Sequence, residues 1–163
     1  MPFKQEPLMT RLLASTALIV LTAACTPSDA PPPAASESGV VLSYTDAFVM
    51  EPIGERDMTM GGVRLSVAGG DVTLLSAQSD AFGTVELHTM AMVDDRMRMR
   101  KVDSFEIADG GTLELKRGGD HFMMFDVGED VVGGETVDIT LTFDADGQEQ
   151  TLVIEADVRV VGE

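Results

Sequence analysis

The chain has 163 residues, 28 Asp plus Glu against 11 Lys plus Arg, and a formal charge of −17. A balance this acidic excludes a phosphate-backbone binder, because affinity there rests on Lys and Arg displacing counterions. One Cys excludes an internal disulfide, a CxxC redox pair and a thiolate zinc cluster, and two His bound any imidazole chemistry.

The N-terminus reads as an address. Lys4 and Arg11 precede an apolar run, 12–24, of 13 residues (LLASTALIVLTAA). That suits a secretory h-region and is too short to span a bilayer as a helix. It ends Leu21-Thr22-Ala23-Ala24-Cys25, which resembles a bacterial lipobox. Cys25 is then acylated and becomes the mature N-terminus. Loss of 1–24 removes Lys4, Glu6 and Arg11, a net +1, and takes the charge from −17 to −18. Residues 25–39 continue as the acylated Cys and a Pro-, Ser- and Ala-rich tether, which sets the domain just off a membrane surface. Thr26, in place of Asp, after the Cys favours the outer membrane.

From 40 to 163 the pattern is one β-rich domain. Short alternating runs span 40–50, 63–67, 72–78, 84–92, 97–102, 112–116, 122–127, 136–143 and 150–160. Gly and Asp punctuate them at 69–71, 109–111, 118–120, 133–134 and 146–147, where tight turns need left-handed backbone. In Ile139-Thr140-Leu141-Thr142-Phe143 the apolar residues point inward. This spacing predicts an antiparallel sandwich.

No GxSxG, GxGxxG, P-loop or HExxH appears, so no catalytic residue is expected. The stretch 85–124 holds both His and six Met. Strand parity puts Val85 and Leu87 toward the core and His88 with Glu86 and Met90 away from it. It likewise sends Phe122 and Met124 inward and His121 with Met123 outward. Met97 and Met99 share one face, with Arg98 and Arg100 on the other. Met often fills core gaps, but an outward Met gains nothing from water. Thioether with imidazole is a soft donor set that suits Cu(I), whereas Ca and Mg need clustered oxygens and a blue-copper centre needs Cys.

His88, Met99, His121 and Met123 fit the spacing H-x10-M-x21-H-x-M. With VELH at 85–88, MRMRKV at 97–102, GGTLELKRGGDHFMMF at 110–125 and VDITLTF at 137–143, the sequence resembles the periplasmic copper chaperones of the PCu(A)C family. The resemblance spans about residues 43–160. It implies a cupredoxin-like antiparallel Greek-key β-sandwich and an exposed Cu(I) site made of those four residues. It also implies delivery of copper toward the copper-A centre of cytochrome c oxidase, directly or through another chaperone. Where family members often place a Met directly after the first His, this chain has Thr89, then Met90. The expected molecule is a monomeric, lipid-anchored carrier on the periplasmic side of the envelope. It binds no nucleic acid. The alternatives are copper sequestration without an oxidase client and a metal-free envelope interaction module.

Overall fold

The computed structural model describes residues 39–54, 56–93, 95–129 and 131–160. The expected signal peptide, the acylated Cys25 and the tether lie outside these residues, Gly39 apart. Ten strands follow in chain order: β1 Val41–Met50, β2 Met58–Ala68, β3 Val72–Gln78, β4 Phe82–Val93, β5 Arg96–Lys101, β6 Phe105–Ile107, β7 Thr112–Leu115, β8 His121–Val127, β9 Thr136–Ala145 and β10 Gln148–Arg159.

Alternation sets which face each strand buries. In β9, Val137, Ile139, Leu141, Phe143 and Ala145 are buried, and in β10 Leu152, Ile154, Ala156 and Val158 are buried. Asp146 and Gly147 join these two strands with φ of 53° and 80°. A two-residue turn with both centres left-handed matches the twist of a hairpin, and the register runs from Gln148 opposite Ala145 to Asp157 opposite Thr136.

All ten strands belong to one open sheet, in the order β5-β4-β8-β2-β1-β10-β9-β3-β6, with β7 added against β2. Its two halves share one core. Leu87, Phe122 and Met124 from the β4–β8 side cluster with Leu141, Phe143 and Ile154 from the β9–β10 side. The sandwich expectation holds in this sense, but the sheet is not wholly antiparallel. β1 pairs β10 in parallel, Phe48 opposite Asp157. First and last strands are joined by the whole domain, so no tight hairpin constrains their sense.

Two elements differ from the sequence pattern. β6 is a three-residue strand, too short for periodicity to register. β2 begins at Met58, five residues before the expected Val63. The sequence there is Met-Thr-Met-Gly-Gly, and glycine weakens a strand reading. Both glycines sit where neighbouring backbone comes close. A Cβ on Gly62 would lie 2.2 Å from the Leu115 carbonyl oxygen and 2.8 Å from the Phe48 ring. One on Gly61 would lie 2.7 Å from the Phe48 carbonyl oxygen. This is where β2 leaves β8 for β7, and the first half of β2 carries Met58 and Met60 to the face described next.

Candidate metal centre

One half of the sheet, β5-β4-β8-β2, presents a face opposite the core. Register fixes its membership. His88 is opposite His121 and Glu86 opposite Met123 across β4 and β8. Met60 is opposite Met123 across β2 and β8. Met90 is opposite Met99 and Met92 opposite Met97 across β4 and β5. Their strand neighbours Leu87, Phe122 and Met124 are buried in the core. Both His and all these Met therefore share the outer face, as strand parity predicts.

The turn before β8 sets His121. Gly118 takes φ of 81°, and Lys116 N–H donates to the Asp120 carbonyl at 2.6 Å. Thr89 Oγ1 donates to Asp120 Oδ1 at 2.5 Å, tying the turn to β4. The turn also supplies a partner for the ring: His121 Nδ1 lies 2.8 Å from the Gly119 carbonyl oxygen. A carbonyl only accepts, so Nδ1 carries the proton, and in the neutral ring Nε2 carries the lone pair. Nε2 faces the Met99 sulfur at 3.0 Å. Two unprotonated soft donors thus converge. Fixing the tautomer through the remote ring nitrogen is how proteins prepare a metal-ligating imidazole.

His88 stands beside it, with ring centroids 5.9 Å apart and an interplanar angle of 49°. Its Nε2 donates to Glu86 Oε2 at 2.9 Å. Its Nδ1 is buried and has no hydrogen-bond partner. An unmet buried acceptor costs about 1–3 kcal/mol, a cost that a metal ion at this nitrogen would remove. The two observations together fit a Cu(I) cargo: one imidazole nitrogen aimed at a thioether, another waiting without a partner.

The four motif residues are not equally disposed. Met99, His121 and Met123 line one cavity of about 290 Å³, with Met58 and Met60 from β2. His88 is not in that lining; it reaches the centre through its contact with His121. The imidazoles are also less exposed than the expected open site. His88 is 9% exposed and His121 4%, while Met99 is 47% exposed. Flanking strands wall the rings in, and Met99, on edge strand β5, forms the accessible side. Met58 and Met60 did not figure in the sequence pattern, because the glycines after them hide the start of β2. Among the described residues no three or more His, Cys, Asp or Glu are grouped to hold a metal; the one carboxylate paired into this face by register, Glu86, is engaged by His88 and Lys101.

Glu86 is the electrostatic hinge of the face. Its carboxylate accepts from His88 and, at 2.8 Å, from Lys101 Nζ. The His88 hydrogen bond first, and the Lys101 bond second, hold its pKa below the usual 4.5. A lowered carboxylate pKa stabilises the fold above its ordinary value, and that contribution is lost as pH falls through the lowered one. Glu86→Gln should therefore lower the thermal midpoint at pH 7, with the gap closing as pH falls below the usual 4.5 and through the lowered value. A gap independent of pH would assign the effect to packing.

Known proteins place this architecture. No curated protein is similar enough to count as a match. The solution structure of apo-DR1885 from Deinococcus radiodurans is 25% identical, with a TM-score of 0.56, covering 95% of this chain and 99% of that one. The Cu(I) form of DR1885 is 27% identical, with a TM-score of 0.55, covering 72% and 77%. The copper-bound PCuAC domain from PmoF2 is 15% identical, with a TM-score of 0.58, covering 75% and 93%, and shows the shared fold. A family model described as "Putative lipoprotein LpqE-like" matches residues 42–156. On that match, which takes in every strand but the first residue of β1 and the last three of β10, the chain belongs to the LpqE-like family.

Proposed function

We propose that the chain is a copper chaperone that binds Cu(I) through His88, Met99, His121 and Met123 and releases it to an acceptor protein. The observation that carries this is His121, whose Nδ1–H is held by Gly119 while Nε2 faces the Met99 sulfur. The likeness to the Cu(I) form of DR1885 supports it. No reaction is catalysed in this reading. Thioethers favour the reduced ion, and an accessible Met99 gives an acceptor a first ligand to displace. The donors carry no charge, so the bound ion is held by softness and geometry, not by the acidic surface.

The test is Cu(I) affinity by competition with a chelator of known proton linkage. Imidazole must be neutral to ligate, so protons compete with the metal for its nitrogen. Affinity should fall as pH is lowered, with protons released on binding, because thioethers do not titrate. Added salt should change it little. A flat pH profile would remove both His from the centre. Strong salt dependence would mean cation binding by surface carboxylates.

We further propose that the client is the copper-A centre of cytochrome c oxidase, reached directly or through another copper chaperone, and that Cys25 anchors the protein to the periplasmic side of the envelope. The motif spacing and the Ala24-Cys25 boundary support these two points. In a deletion strain, wild type should restore oxidase assembly and fractionate with membranes, since lipoprotein acylation exceeds the single chain that binds only reversibly. Cys25→Ser should move the protein to the soluble fraction. Unchanged fractionation and precursor processing would refute the anchor.

A further inference from the structure

Three methionines on the β4–β5 part of this face lie outside the proposed centre. Met90 and Met92 are on β4, and Met97 is on β5 two residues before Met99. The register sets Met90 opposite Met99 and Met92 opposite Met97. Opposed residues have Cβ atoms about 4.5–5.5 Å apart, and residues two apart on a strand are separated by about 6.6 Å. The four positions therefore mark a rectangle of about 5 by 6.6 Å. Methionine is unbranched and flexible, and from each corner its sulfur can reach the space above the middle.

The surroundings favour sulfur chemistry there. Met92 is 65% exposed and Met97 53%, so neither serves the core. Arg96, Arg98 and Arg100 oppose Val93, Ala91 and Thr89, and alternation puts them on the other face. Lys101 is the β5 cation on the methionine side, and Glu86 holds it. Met99 belongs to both groups: its sulfur faces His121, and its cross-strand partner is Met90.

We propose that Met90, Met92 and Met97, sharing Met99, form a second and weaker site for a soft monovalent cation, Cu(I) or Ag(I), continuous with the His–Met centre. The ion passes between the two by ligand exchange at Met99, one thioether bond forming as another breaks, with no change in oxidation state. Weaker binding follows from the donor set, which lacks imidazole. The inference rests on the copper reading, and its test separates the two.

The experiment titrates the whole protein, labelled with 13C-methyl methionine, with Cu(I) under reducing conditions. The first equivalent should move the Met99 and Met123 methyl signals. The second should move those of Met90, Met92 and Met97. The triple variant Met90→Leu, Met92→Leu, Met97→Leu should keep the first equivalent, with affinity within about threefold of wild type, and lose the second. Saturation at one equivalent with the three methyls unmoved would overturn the second site and leave the first standing. Movement of those three with Met123 unmoved would support the methionine site and overturn the His–Met centre. No movement at all would overturn both.

Discussion

His121→Ala should lower affinity for the first Cu(I) equivalent on the order of 100-fold, equivalent to about 2.7 kcal/mol. His121 donates the lone pair that its Gly119 hydrogen bond leaves free, and it touches both Met99 and His88. Its loss removes one donor and loosens two others. Met123→Ala removes one thioether from the cavity and should cost about tenfold. Met90→Ala and Met92→Ala, which register pairs with Met99 and Met97 and not with an imidazole, should each cost less than about threefold. Competition titration of the four variants at one pH decides the matter. Equal losses across all four would describe a diffuse methionine-rich surface, and the centre would be abandoned.

The face of the sheet that carries these residues was legible from parity alone. His88 and His121 each alternate with large apolar neighbours, Leu87 and Phe122, and only one face of such a strand can be the core. Their juxtaposition was not legible in the same way, because His88 opposite His121 is a register between strands 33 residues apart in sequence. It entered through the motif spacing. The start of β2 was hidden for a physical reason. Gly61 and Gly62 weaken a strand reading, yet they mark a crossing where three strands approach too closely for a Cβ. The burial of the rings was also hidden. A residue that leaves the core of its own strand can still be covered by neighbours on the same face, and that cover comes from β5 and β2 through tertiary pairing. The parallel pairing of β1 with β10 carries no local signal at all.

Adjacent residues on β8 should show opposite phenotypes, because alternation sends one to the core and the next to the metal face. Phe122 is fully buried, in the cluster that joins the two halves of the sheet. Phe122→Ala removes that ring and leaves a cavity, which typically costs about 3–5 kcal/mol. For a domain whose total stability lies near 5–15 kcal/mol, the loss is a large fraction. The thermal midpoint should fall on the order of 15 °C. The backbone pairing of His121 with His88 does not depend on the Phe122 side chain, so the folded fraction should keep its Cu(I) affinity. Added Cu(I) should then raise the midpoint of Phe122→Ala, because an ion that binds only the folded chain stabilises it by mass action. Met123→Ala should do the reverse. The side chain is half-buried on the outer face, its loss should move the midpoint by only a few degrees, and the shift induced by Cu(I) should shrink. Thermal unfolding of both variants with and without Cu(I) measures the two effects together. If Phe122→Ala lost its copper-induced shift while still folding cooperatively, the core and the metal face could not be the two separate sides of β8 that register and burial assign.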